Sequence, residues 1–343
     1  MSVPMLKNGG IWGLGLFLLL AALIGGLSIG RYPVALSHVW QILLDAVFIG
    51  DNSDPDWSPT DGKVVLYVRM PRVLIAALVG AGLAVSGAAL QGIFKNPLVG
   101  PQILGVSSGA AFGGVLAIFF FSSMILTVSL AFLGGVAAIF LVFVLGFRRG
   151  GESLLMLILA GVVINAFFAA LISLMTYFAD PNNTLQAIVF WLMGSFASAT
   201  YDKLWLVLPV ITLCSLLIFT LRFRINVLSL GEGDARALGM PVNMTRWTVL
   251  LCVTLMTSAT VAISGTIGWV GLIIPHMARF IVGHDHRRLI PASALLGASY
   301  MVAVDTLARS VTSAEIPLGV ITALIGAPIF AALLRSVNKR RYA

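Results

Sequence analysis

The chain has 343 residues, of which 59% are hydrophobic and only 10% charged, where soluble domains carry about 25% charged residues. With a mean hydropathy of +1.03, this excludes an ordinary water-soluble domain and indicates a polytopic membrane protein, with residues 1–343 forming a single transmembrane domain. A net charge of +8 would suit nucleic acid, but no basic patch is interleaved with aromatics and the cations gather at the ends of apolar runs, so no nucleic-acid partner is expected. Cys214 and Cys252 both lie in apolar runs, which argues against a disulfide framework.

Crossing a hydrocarbon core of about 30 Å takes about 20 apolar residues in a helix, which satisfies its own backbone. Apolar runs bounded by charge, Gly, Pro and turn residues predict an all-α bundle with about ten spans, near residues 11–30, 71–93, 102–121, 124–146, 153–178, 203–221, 244–264, 269–283, 290–310 and 316–336. The first run follows Lys7 but lacks a small-x-small cleavage site, so it is read as an uncleaved span. Residues 31–68, with Asp51, Asp54, Asp56 and Asp61 among turn residues, predict an extramembrane loop. Residues 179–200 form a second long connection, with a short surface helix near 185–193. On this span assignment fifteen of the 21 Lys and Arg residues fall on the side of the N-terminus. That asymmetry places both termini in the cytoplasm.

Residues 69–114 are the expected packing centre. Gly80, Ala84, Ala88 and Gly92 recur every four residues, and the spacing returns in Gly105, Gly109 and Gly113. Lipid gives apolar surface no reason to prefer another helix, so stripes of small residues predict close backbone packing between helices. The general richness of membrane helices in Gly and Ala would also produce them. The run Ala84-Val85-Ser86-Gly87 is echoed by Ala262-Ile263-Ser264-Gly265. An inverted repeat would look like this, and so would chance in so biased a composition.

Residues 229–240, SLGEGDARALGM, interrupt the apolar pattern. Gly231 and Gly239 can turn the chain at either end of a short helix carrying Glu232 and Arg236, with Ala235 and Leu238 on one face. An ordinary solvated loop and a surface helix fitting a groove on a partner subunit both suit these residues. No G-x-x-x-x-G-K-[ST] occurs. The chain therefore has no phosphate cradle of its own, binds no cofactor and is not an enzyme, and any ATP and Mg belong to partner subunits.

Arg69 and Arg72 flank Pro71, and Arg309 ends the ninth span. They suit either a forked clamp for a partner's carboxylates or simple snorkelling anchors. Residues 105–109 fit G-x-S-x-G but open a helix, which argues against Ser107 or Ser108 acting as a nucleophile with His276. His284-Asp285-His286 lacks an i,i+4 zinc pair, and no metal site is expected. Asp305 lies one turn from Arg309, which would hold it ionised and argues against proton coupling. Asn165 and Phe168 share a face of the fifth span, lining a pathway or packing between helices.

Four blocks of sequence now stand together. They are RMPR with the Gly/Ala helix after it, QGIFKNPLVGPQILGVSSGAAFG, LGEGDARALGM, and GTIGWVGLIIPHMARFIVGHDHRRLIPASALLGASYMVAVDTLARSV followed by EIPLGVITALIGAPIF. The chain resembles the permease subunits of type II ABC importers for iron-siderophores, haem and cobalamin. The resemblance implies a ten-span permease that pairs with a second copy of itself, its substrate passing beside spans five and ten. It implies two ATP-binding cassette subunits docking at Gly231, Glu232, Ala235, Arg236, Leu238 and Gly239. A periplasmic or lipid-anchored binding protein would meet Arg69, Arg72 and Arg309. A cytoplasmic gate would fall at Arg149, Gly151, Glu152 and Ser153, although Gly150-Gly151-Glu152 departs from the gate pattern and Gly100 stands where an acidic residue often precedes the proline. The expected cargo is a bulky metal chelate, an iron-siderophore first and haem or cobalamin next. An oxyanion such as molybdate is the alternative, and ion-coupled secondary transport a more distant one.

Overall fold

The computed structural model describes residues 8–48, 56–146 and 154–341, and the regular structure among them is helical. In chain order the helices are α1 (Asn8–Ser28), α2 (Leu36–Phe48), α3 (Pro59–Lys63), α4 (Met70–Ile93), α5 (Val106–Phe121), α6 (Met124–Gly146), α7 (Leu154–Phe178), α8 (Thr184–Met193), α9 (Tyr201–Leu230), α10 (Glu232–Ala237), α11 (Val242–Ser264), α12 (Val270–Val282), α13 (His286–Ser310) and α14 (Leu318–Arg341). Seven helical stretches are long and apolar enough to cross a membrane: those of α1, α6, α7, α9, α11 and α13, and one running from Pro59 to Ile93. The shorter apolar α5, α12 and α14 fall at the other three positions expected to span.

Helix α4 is the buried centre, and its glycines are the reason. A Cβ on Gly87 would collide with the carbonyl oxygen of Gly271 in α12, and one on Gly80 with that of Gly297 in α13. Gly297 in turn faces the carbonyl of Gly80 and the methyl of Ala84. The second stripe does the same for α5, where Gly109 and Gly113 lie against the backbone of α6 at Gly134 and Leu130. The four-residue spacing thus marks the contacts at Gly80 and at Gly109 and Gly113, as expected of helices that associate by close packing in lipid, whereas Gly87 lies beside the stripe rather than in it. Gly105, at φ +77°, ends the 3₁₀ turn Pro101–Leu104 and starts α5 in a left-handed conformation that favours glycine.

Several boundaries differ from the sequence expectation. Residues 31–68 are not simply a loop: α2 lies there, and the second span begins at Pro59, where Ser58 and Asp61 form a capping box. From α3 the chain continues as a π-helical turn, Val64–Arg69, directly into α4. Helix α9 runs on past Arg222 and Arg224 to Leu230, with the Arg222 guanidinium 3.8 Å from the Phe219 ring. Charge there marks the edge of the apolar stretch, and the helix continues beyond it. Helix α8 forms where the sequence predicts a short surface helix: it leaves Val189 and Phe190 exposed, while Ile188 is buried and the Trp191 ring sits against Gly114 of α5. The two echoed runs occupy unlike places, Gly87 inside α4 and Gly265 just past the end of α11.

Replacing Gly87 by Ala should force α4 and α12 apart and cost about 1–3 kcal/mol, the usual range for overpacking. Thermal unfolding of the detergent-solubilised protein would measure it, with Gly13→Ala, a site with nothing within 4 Å, leaving the transition unchanged.

Candidate functional site

The bundle has two distinct ends. At one, the start of α4 meets the end of α13. At the other, Gly92 near the end of α4 faces Ile225 of α9 and the His286 ring at the start of α13. The backbone N–H of His286 donates to Asn226 Oδ1 at 3.0 Å, tying α13 to α9 there. The predicted site residues divide between these ends.

Arg69, Arg72 and Arg309 do come together at the first end, but each is buried, with 4–7% of its surface exposed. Arg72 spans two carboxylates. Its Nε and Nη2 donate to Asp305 at 2.8–3.0 Å, and its Nη1 and Nη2 to the two oxygens of Glu315 at 2.9 Å. Arg69 donates to the carbonyls of Leu27, Ser28 and Tyr32, and Arg309 to the carbonyl of Gly26. Arg309 Nε also lies 3.6 Å from Asp305. Asp305 is therefore engaged mainly by Arg72, not by its sequence neighbour Arg309. The exposed forks expected from the sequence are replaced by guanidiniums bonded within the chain, since a buried ion is costly unless paired and hydrogen-bonded. Burial opposes ionisation of Glu315, but the hydrogen bonds and charge of Arg72 outweigh it and hold the carboxyl below the usual range. Its share of stability is thus present above the ordinary glutamate range and lost as pH falls through the lowered value.

At the second end, α10 is a six-residue helix between α9 and α11. Gly231 precedes it, and Gly239 leaves it at φ +72°. Glu232 turns inward: it pairs with buried Arg246 of α11 and lies 3.6 Å from Arg236. Ala235 is fully buried, whereas Leu238 falls just past the helix end and is 71% exposed. The two do not share a face, because the helix stops before Leu238. What α10 leaves open is a polar surface flanked by exposed Leu230, Leu238 and Met244.

Asn165 of α7 accepts from Ser108 Oγ at 2.6 Å and donates to the Gln102 carbonyl at 3.0 Å. It thereby holds the 3₁₀ turn and the start of α5. Phe168 is buried against Phe112, with ring centroids 5.6 Å apart. Both residues pack between helices within this chain. The Ser108 hydroxyl is committed to Asn165, and the His276 ring is stacked edge-on against Phe280. Asp285 caps α13 by accepting from the Arg287 N–H at 3.0 Å. Among the described residues, no group of three His, Cys, Asp or Glu side chains could hold a metal. Arg149, Gly151, Glu152 and Ser153 lie outside the described residues.

Sequence reasoning missed Glu315, Arg246 and Lys203. Glu315 had a visible signal: it is an acidic residue in the connection after Arg309, at the end where the arginines gather. Arg246 reads as a charge at a helix start, and its pairing with Glu232 across 14 positions has no local signature.

A helical membrane bundle with a short amphipathic element between two spans at one end and a braced, ion-paired opposite end is the architecture of a transporter permease. Comparison with known proteins makes this specific. The chain matches the model of the FecCD transport family over residues 18–336, and it belongs to that family of ABC transporter permeases. It is 46% identical over 329 residues to the molybdate import system permease protein MolB of Haemophilus influenzae, covering 96% of each chain. It is 41% identical to the cobalamin import system permease protein BtuC of Halobacterium salinarum, over 82% of this chain and 76% of that one. A solved structure assigned to the metal-chelate type of ABC transporter, in an inward-facing conformation, superposes with a TM-score of 0.85 at 44% identity, covering 96% of this chain and all of that one. The protein is a multi-pass importer permease, and its family is one of membrane permeases rather than catalysts.

Replacing Asp305 by Asn should cost about 3–5 kcal/mol, because it leaves Arg72 and Arg309 without their shared buried charge. Glu315→Gln should cost less, since that carboxylate is partly exposed. Denaturant unfolding of both variants checks this, and equal losses would contradict the assignment of Asp305 as the central anion.

Proposed function

We propose that this chain is the membrane subunit of an importer for a small oxyanion of the molybdate class. The observation that carries this reading is the 46% identity, over 96% of both chains, to a molybdate permease. The oxyanion thus moves ahead of the metal chelate that the sequence blocks put first. An iron-siderophore, haem or cobalamin remains the second reading, favoured by the 41% identity to a cobalamin permease and by the metal-chelate type of the solved structure.

The permease works as a pair of copies in the bacterial cytoplasmic membrane with both termini inside. The apolar faces that α7 and α14 leave open, including Val163, Phe167 and Leu324, support pairing along those helices. Two ATPase subunits dock at the α10 end and move α9 and α11 through the short helix. ATP and Mg sit on those subunits. A binding protein delivers substrate to the arginine end. Direct contact between its carboxylates and Arg69, Arg72 or Arg309 requires the guanidiniums to exchange their internal acceptors, so they act first as braces for the docking surface.

In proteoliposomes containing permease, ATPase and binding protein, molybdate should be accumulated in an ATP-dependent way and should stimulate hydrolysis. Stimulation by a ferric siderophore instead would favour the second reading. Concentrative uptake by the permease alone, driven by an ion gradient, would overturn both. Replacing Leu238 by Glu should lower uptake about tenfold, equivalent to ~1.4 kcal/mol, while leaving the fold intact because the side chain is exposed. Unchanged coupling in that variant would count against α10 as the transmitting element.

A further inference from the structure

The end of the bundle that holds the arginines also contains a cavity of about 520 Å³, walled by α5, α6, α8, α9, the end of α11 and the segment leading into α14. Its size falls in the range of small-ligand sites. Its polar lining includes Lys203, Ser195, Ser198, Ser264 and Glu315. Most of these groups are already committed. The Ser264 hydroxyl donates to the Thr260 carbonyl at 2.7 Å, and both Glu315 oxygens are bound by Arg72.

Lys203 is the exception. It is 93% buried, since only 7% of its surface is exposed, yet its ammonium has one hydrogen-bond acceptor, Ser198 Oγ at 2.7 Å. Among the described residues no carboxylate forms an ion pair with it. An ammonium has three donors and no acceptor, and a buried charge without a counterion is strongly disfavoured. Two of its N–H groups remain to be satisfied. The neighbouring hydroxyls are set to help: Ser198 accepts from Lys203 and Ser195 accepts from the Ala197 N–H at 3.0 Å, so each keeps its own proton to donate. Cavity-facing donors thus converge around one uncompensated positive charge. The one carboxylate in the lining is neutralised from behind, and in that cluster three guanidiniums face two carboxylates. A surplus of positive charge at this end attracts anions.

We propose that Lys203, Ser198 and Ser195 form an anion site that holds an oxyanion at the entrance of the permease, between its release by the delivery protein and its passage through the bundle. An oxyanion with several acceptor oxygens can take the free N–H groups of Lys203 and both hydroxyls together, and it supplies the missing charge. This inference rests on the oxyanion reading above and deepens it by naming residues for the cargo.

The test uses the assembled permease–ATPase complex in lipid nanodiscs, with molybdate as probe and sulfate as competitor, followed by equilibrium binding. Lys203→Gln should weaken molybdate binding roughly tenfold or more, the loss of one charge-assisted contact, and Lys203→Arg should retain it within about threefold. Ala197→Asp keeps Lys203 and places a competing carboxylate on the exposed cavity wall, so it should abolish binding without creating a buried defect. Unaltered molybdate binding in Lys203→Gln and Ala197→Asp would overturn the site. So would a loss confined to capture of the delivery protein, which would show that a partner's carboxylate fills the cavity. Uptake by the wild-type transporter is measured alongside. If molybdate is transported but not bound at this site, the site falls and the oxyanion reading stands. If a chelate is transported and molybdate is not, the reading falls and the site falls with it.

Discussion

The approach of α4 to α12 and α13 through facing glycines is the constraint on which the molecule is arranged. In lipid there is no hydrophobic drive between apolar helices, so association depends on short-range packing that a single intervening methyl group can spoil. Gly87 against Gly271 and Gly80 against Gly297 bring backbone to backbone. With α4 pinned along its length, its first turn delivers Arg72 to one end of the bundle, and its last turn sits beside α9 and the start of α13 at the other. A second glycine contact joins α5 to α6, and α11 packs against α4, α5, α6 and α9, connecting the two glycine-packed groups.

The two ends treat charge in opposite ways, and this suits a machine driven from one side. At the arginine end Arg72 is drawn inward and paired, with Asp305 fully buried beneath it. At the α10 end Arg246 is buried against Glu232, while Asp234, Arg236 and Leu238 remain exposed. Glu232 of α10 thus grips Arg246 of α11, a helix that packs against α4, α5, α6 and α9. Lys203 breaks the pattern at the arginine end, as a buried cation without a counterion among the described residues.

Much of the fold was legible because the membrane imposes it locally. Apolar runs located the main helices, and the four-residue spacing of Gly80, Ala84 and Ala88 pointed to the packing centre before any partner helix was known. The failures came where polar residues were taken to end helices. Ser58 and Asp61 instead begin one, by capping it, and Arg222 and Arg224 ride on a helix that continues past the apolar stretch. In the site, the clustering of arginines could be guessed, but not their burial. Placing Leu238 on a face with Ala235 assumes that the helix includes Leu238, but α10 ends one residue earlier.

By itself the sequence determined that the chain is a multi-span helical permease and that stripes of small residues organise its packing. These are matters of composition and short-range periodicity, which the solvent reads residue by residue. Only the tertiary structure decided which charges meet. Arg72 finds Asp305 across 233 positions and Glu315 across 243, while Lys203, in the same cavity lining as Glu315, has no ion pair among the described residues. Pairing energies of this kind depend on distance and burial in the folded bundle, and no local pattern encodes them.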